Sequence, residues 1–483
     1  MRSLFDRAVT AGAMLWCLGV GAGAQEIHGD VEWANGGGTV ATQAKAQDQD
    51  QEKVEDTEPT SVEADRPTAK YRGAIPVEVR RTDEGWRLFR GGEVYTLKGG
   101  SAKPGELEYM AKAGGNSIRT WGTEDLEPLL DEAHENGITV CVGIWLGHEK
   151  HGFDYSNEQR KAEQMDMALD AVRRYKDHPA VLLWAVGNEM ELDSRGRNEK
   201  VFQHVNDIAK AIKQIDPDHP TMTVLAGTAG KRLPNFVRWC PDIDILGPNI
   251  YGEDLSGIGQ RLRDAGIERP YIIPEYGPQG QWGMAKTPWS APHEPSTTQK
   301  AQQYLQHYAK PMNTPDGYGL GGYVFYFKYN DYDGQGRPWP SWYSMHHHTG
   351  EAYGGADAMT FSWTGRWPDN LAPEIQFLDC DADSRFTFPG EVYEARALYF
   401  DRDNDPLQVE WFLARDHESG ERFAMIDPEE WLLEQGDGTL KFKIPETEPG
   451  GFRLHLVIKD GQGKAARANI PLFITPTKPE DQG

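Results

Sequence analysis

Between residues 93 and 327, short apolar runs alternate with stretches whose apolar residues recur every three or four positions. The first pattern is that of buried strands and the second that of amphipathic helices. Strands are predicted at Glu93–Lys98, Asn116–Thr120, Ile138–Trp145, Val181–Val186, Thr221–Leu225, Ile243–Ile250, Tyr271–Pro274 and Gly322–Phe327. Helical faces lie between them, among them Leu126, Leu129, Leu130 and Ala133, and Val205, Ile208, Ala209 and Ile212. Gly137, Asp177-His178-Pro179 and Asp216-Pro217 supply stops. Counted from Tyr95, eight strands in about 230 residues predict a (β/α)8 barrel. A doubly wound open sheet is the alternative. It calls for a Gly-rich phosphate turn after the first strand, and Gly99-Gly100-Ser101-Ala102 is not that fingerprint.

The pattern changes on both sides of this block. Beyond Pro368 the helical period stops, and Leu407, Val409, Trp411 and Leu413 alternate, as do Phe452, Leu454, Leu456 and Ile458. Residues 372–476 are therefore expected to form an immunoglobulin-like β-sandwich, after a barrel domain spanning 69–368. Ahead of the barrel, Val77–Arg80 and Trp86–Phe89 flank Thr82-Asp83-Glu84-Gly85 as a hairpin. Residues 25–68 carry few large apolar side chains and read as a disordered acidic linker. Residues 1–24 read as a signal peptide: Arg2 and Arg7, a mostly apolar run from Ala8 to Val20, then Ala22-Gly23-Ala24. That run is too short to span a bilayer, so the expected location is secreted or periplasmic.

Composition narrows the function. A formal charge of -25 repels polyanions, which makes nucleic acid a poor partner and mildly disfavours a strongly anionic polysaccharide. With Cys17 in the leader, Cys141, Cys240 and Cys380 remain, an odd number that rules out a disulfide scaffold. The 15 Trp and 19 Tyr suit a protein that presents flat apolar faces to sugars, although most aromatic residues fill cores.

Two of the apolar runs end in a glutamate: Trp184-Ala185-Val186-Gly187-Asn188-Glu189 and Tyr271-Ile272-Ile273-Pro274-Glu275. In a barrel these are the fourth and seventh strands, whose carboxyl ends meet at one mouth. Two carboxyl groups at one mouth are the equipment of glycoside hydrolysis, one to protonate the leaving oxygen and the other to attack the sugar or activate water. The two tasks call for opposite protonation states at one pH, and hence for two different settings. No cofactor is called for.

Trp184 to Glu189, together with Pro274-Glu275-Tyr276-Gly277, resembles the retaining glycoside hydrolases of clan A, in particular the barrel domain of family 2 β-glycosidases. The resemblance covers roughly residues 88 to 330. It implies that Glu189 is the general acid/base, that Asn188 donates to the substrate 2-hydroxyl, and that Glu275 is the nucleophile. It further implies that Arg119 keeps the nucleophile ionised and that Asn249 and Tyr251 belong to a strand-six segment whose tyrosine bonds the nucleophile. Tyr326-Phe327-Lys328 stands where a tryptophan often ends strand eight. Glu275-Tyr276-Gly277 is also similar to fungal-type β-1,3-glucanosyltransferases, which share the clan and mechanism. The implied function is an exported retaining β-glycosidase. The rivals are a transglycosylase using the same residues and a catalytically idle glycan-binding protein.

Further candidates surround this pair. Trp121, Trp145, Trp282, Trp339 and Trp342 follow strands and are expected at the mouth, where indole faces stack on sugars; His148 ends strand three nearby. Glu191 reads as a solvated neighbour of Glu189. His346-His347-His348 invites a metal, but adjacent histidines do not all face one ion, so no metal is assigned. Asp401, Asp403 and Asp405 form either a solvated turn or a calcium loop; Phe412 at the closing position excludes an EF-hand. The sequence leaves the sugar, its linkage and the oligomeric state open.

Overall fold

The computed structural model describes residues 70–310, 317–327, 342–416 and 425–476. The expected signal peptide and linker, Lys328 and Trp339 lie outside these residues. Strands β1 (Val77–Thr82), β2 (Gly85–Arg90) and β3 (Glu93–Val94) form a small antiparallel sheet. Eight parallel strands then close into a barrel: β4 (Gly99–Gly100), β5 (Ser117–Arg119), β6 (Thr139–Ile144), β7 (Val181–Asn188), β8 (Thr221–Leu225), β9 (Ile245–Pro248), β10 (Tyr271–Tyr276) and β11 (Gly319–Val324). One helix follows each strand in turn: α1 (Leu107–Lys112), α2 (Leu126–Glu135), α3 (Glu158–Tyr175), α4 (Glu199–Ile215), α5 (Arg232–Trp239), α6 (Ile258–Asp264), α7 (Thr297–Tyr308) and α8 (Gly354–Thr364).

The strands' two-residue period divides them between two cores. On β6 and β7, Val140, Val142, Trp184 and Val186 pack outward among helix residues such as Leu130, Ile208 and Ile212. Cys141, Leu183 and Ala185 belong to a second cluster with Met222, Val224, Ile245 and Ile272, and this cluster also holds Val77, Leu88 and Leu97. The hairpin thus plugs one end of the barrel. Val77 N donates to Asp218 O at 2.7 Å and Arg90 Nη2 to Pro179 O at 2.7 Å, both in loops that lead into strands. The plugged end is the amino-terminal one, which leaves the carboxyl-terminal mouth for chemistry.

One strand assignment needs correction. Glu93–Lys98 was expected to open the barrel, but only Glu93 and Val94 are extended and they pair with β2. The barrel starts at Gly99, where a Cβ would come within 2.4 Å of the Tyr323 ring and 2.8 Å of Gly322 O. Such close backbone approach requires glycine, so the strand forms where hydrophobicity is lowest.

After α8 the chain forms two further sheets. One runs β12 (Ala352–Tyr353), β20 (Lys464–Ile474), β19 (Gly450–Lys459), β16 (Gln408–Arg415), with β14 (Phe386–Thr387) also on β20. The other runs β13 (Glu374–Cys380), β15 (Val392–Phe400), β18 (Thr439–Lys443), β17 (Leu432–Gly436). Trp411, Leu413, Phe442, Leu454, Leu456 and Leu472 fill the core they share, which makes the unit a β-sandwich. Its first edge strand, β12, precedes α8 in the chain and pairs in parallel with β20. Cys141, Cys240 and Cys380 are buried free thiols. Among the described residues, no helix is long and apolar enough to cross a membrane.

Candidate active site

Glu189 sits where β7 leaves the sheet. Gly187 has φ +76°, and a Cβ there would meet Met190 Sδ at 2.2 Å, so glycine permits the exit turn. Glu189 itself is left-handed, with φ 53°. That conformation costs a non-glycine residue on the order of 1–3 kcal/mol. Two backbone bonds hold it, Glu189 N to Val224 O at 2.9 Å and Leu192 N to Glu189 O at 3.0 Å. Glu191, expected in solvent, is fully buried beneath this turn. Its Oε1 accepts from Arg232 Nε and Ala226 N, both at 2.8 Å, tying the loop after β7 to the loop after β8. A buried charge must be paired, and Arg232, 41 positions away, was not recognisable as the partner.

The Glu189 carboxyl has one neutral donor, Asn249 Nδ2 at 2.7 Å on Oε1. Burial and then the nearby charge of Glu275 disfavour its ionised form, and Asn249 compensates only in part. The carboxyl is pushed up to about 7.

Glu275 lies inside the last turn of β10 rather than beyond it, and is 8% exposed. Its Oε1 accepts from Arg119 Nη1 at 2.8 Å and from Trp121 Nε1 at 3.0 Å, and its Oε2 from Tyr251 Oη at 2.8 Å. Three donors, one a buried guanidinium, are the surroundings of an anion. Burial and the adjacent Glu275 hold the Tyr251 phenol well above its ordinary range, so it donates. Arg119 Nη2 also donates to Asn188 Oδ1 at 2.7 Å. That bond fixes the amide orientation and leaves the Asn188 Nδ2 protons for another acceptor.

Six of the nine residues expected at the site, Arg119, Asn188, Glu189, Asn249, Tyr251 and Glu275, thus meet through direct hydrogen bonds around the two carboxyl groups. The other three border them. His148 lies against the Asn188 backbone, kept below its ordinary range chiefly by burial, and stacks on Trp145 at 4.8 Å. Trp282 meets Tyr251 edge-on at 5.5 Å, and Trp145 and Trp282 are 43% and 60% exposed. Trp121, expected as a sugar platform, instead donates to Glu275; its ring stacks on Tyr326 at 5.8 Å. The signal was present, because Trp121 stands two positions after Arg119 and an extended chain turns both to the same side. Trp342 is tied by its Nε1 to Gln279 O at 3.0 Å.

The remaining candidates lie elsewhere. His346 packs edge-on to Tyr109, while His347 bonds Thr349. Asp401 Oδ1 accepts from the backbone N–H groups of Asp403 and Asp405, an aspartate-capped turn. Among the described residues, no group of three or more His, Cys, Asp or Glu is placed to hold a metal.

Residues 107–334 match the TIM barrel domain of glycosyl hydrolases family 2. The barrel is that of family 2. Among similar curated proteins, a β-glucuronidase of Streptococcus agalactiae is 24% identical over 220 residues, covering 39% of this chain and 34% of the relative. A β-glucuronidase of Paenibacillus borealis is 24% identical over 193 residues, covering 36% and 31%. The chain therefore spans about a third of the length of the curated relatives it matches. Among solved structures, the Bacteroides uniformis β-glucuronidase aligns with 83% of this chain and 48% of its own, at 16% identity and a TM-score of 0.44. The family 2 match begins at α1 and runs past β11, so it covers β5 to β11 and with them both glutamates.

Proposed function

We propose that this protein is an exported retaining β-glycosidase. The observation that carries the reading is the contrast between its two mouth carboxyls. Glu189 is partly buried, raised to about 7 and bonded by a single neutral donor, whereas Glu275 is gripped by three donors. The first is suited to give a proton at neutral pH and the second to carry charge. The leader-like residues 1–24 support export. The family 2 barrel and the β-glucuronidase relatives support a β-linked sugar as substrate.

The chemistry then runs in two displacements. Oε1 of Glu275 already accepts two bonds and Oε2 only one, so Oε2 keeps a lone pair for the anomeric carbon. As that C–O bond forms, the glycosidic C–O bond breaks and Glu189 gives its proton to the departing oxygen. Esterification removes the Glu275 charge, which after burial is the largest influence raising Glu189. With that charge gone the ionised form of Glu189 is less disfavoured, and as a carboxylate it takes a proton from the water that attacks the same carbon. Glu275 leaves as a carboxylate and the sugar keeps its configuration. Asn188 Nδ2, free of Arg119, is placed to donate to the 2-hydroxyl, and Trp145, His148 and Trp282 wall the entrance.

The test is a panel of nitrophenyl β-glycosides, including the glucuronide, glucoside, galactoside and mannoside, with the first-formed anomer read by proton NMR. A β product is expected. An α product, or turnover unchanged in Glu275→Gln, overturns the reading.

A further inference from the structure

The loop after β10 joins the nucleophile strand to α7, and its two ends face different parts of the molecule. Its inner end borders the mouth: Trp282 meets Tyr251, and Gln279 O accepts from Trp342 Nε1 at 3.0 Å. Its middle is a hairpin, closed by Thr287 N to Ala291 O and His293 N to Ala285 O, both at 2.9 Å. Its outer end is seated on the sandwich. Trp289 packs on Phe386 and Phe473 at 5.4 and 5.6 Å, and Pro292 O accepts from Arg453 Nη2 at 2.8 Å. Next to it the buried Glu294 accepts from Arg467 Nη2 and Asn469 Nδ2, both at 2.7 Å, and from Lys300 of α7. Burial opposes its charge, but Arg467, Lys300 and Arg453 outweigh that and hold the carboxyl far below its usual range. Lys300 Nζ in turn donates to Trp342 O at 2.7 Å, closing a path back to Gln279.

A separate glycan-binding module would have no reason to hold this loop. We propose that the sandwich is a positioning part of the active site: Arg467, Asn469 and Arg453 clamp the loop after β10 at Pro292 and Glu294, and so fix Trp282 and Trp342 as the wall that receives the outer sugar of an extended β-linked oligosaccharide. The clamp leaves the two carboxyls alone and acts on the width and rigidity of the entrance. It rests on the glycosidase reading only for the identity of what the wall receives.

The test uses the full chain with Arg467→Met, and Arg467→Lys as the conservative control. Trp289→Ala loosens the same loop while leaving the buried charges in place, and it keeps the test if Arg467→Met does not fold. Hydrogen exchange read by mass spectrometry should rise across residues 277–283 in Arg467→Met and Trp289→Ala, with β10 still protected. KM for a β-linked oligosaccharide should rise about tenfold while kcat on a small nitrophenyl glycoside stays within about twofold. Arg467→Lys should recover most of the loss. In a Trp282→Ala background, Arg467→Met should add nothing to KM, because both act through one wall. Unchanged exchange at 277–283, additive effects with Trp282→Ala, or an equal fall of kcat on both substrates overturns the proposal. A wild type that cleaves no glycoside instead counts against the glycosidase reading, and the exchange measurement then decides the clamp by itself.

Discussion

The two sides of the barrel mouth hold the same side chain in opposite surroundings. On the β7 side, Glu189 projects from a left-handed residue into a buried site with one amide donor. On the β10 side, Glu275 lies within the strand and receives a guanidinium, an indole and a phenol. Both side chains are at least partly buried, and what differs between them is the number and charge of the donors each receives. Backbone strain differs too: the strained residue is the one proposed to move protons.

The strongest way to break the comparison is to remove each carboxyl in turn. Glu275→Ala should cost on the order of 10⁴-fold or more in kcat, because the group proposed to form the glycosyl intermediate is gone. Glu189→Ala should cost about 10²–10⁴-fold on substrates with poor leaving groups. With a nitrophenolate the first step should survive and deglycosylation stall. Azide, which needs no deprotonation, should restore turnover and yield a β-glycosyl azide, whereas rescue of Glu275→Ala should yield the α-azide. Product azides of the opposite configurations would exchange the two roles.

Stability sharpens the same contrast. The folded-state value for Glu189 is raised from 4.5 to about 7. The contribution of this group to stability is therefore full below about pH 4.5 and is progressively lost as pH rises through about 7, where it ionises. Glu189→Gln keeps the Asn249 bond and avoids that loss. It should be more stable than wild type by about 3 kcal/mol at pH 8 and nearly equal to it at pH 4, as measured by urea unfolding. The smallest expected effect is that of Asn249→Ala. Loss of its bond should move the basic limb of kcat/KM upward by a fraction of a pH unit, since that donor holds the carboxyl down.

The barrel was legible in the sequence because its strands and helices differ in period, and the paired glutamates were legible because each interrupts an apolar run. Four residues around them, Arg119, Asn188, Asn249 and Tyr251, were expected from motif resemblance and lie in one hydrogen-bonded set with the two carboxyls. What escaped was set by tertiary packing. The opening strand is two glycines with no hydrophobic signal, chosen by the bulk of Tyr323. The burial of Glu191 depends on Arg232, and the indole of Trp121 turns to a carboxylate rather than to the open mouth. The clamp on the loop after β10 was equally hidden, because its charges are spread over α7, β19, β20 and the loop itself.

The most direct test of the central claim needs no substrate. A ¹³C-glutamate NMR titration, with the Glu189 signal assigned by its loss in Glu189→Gln, should show that carboxyl titrating near 7. In Glu275→Gln the same signal should titrate at clearly lower pH, because the charge that raises it is gone while burial remains. Titration near 4.5 in the wild type, or a value indifferent to residue 275, would contradict the division of roles between the two carboxyls.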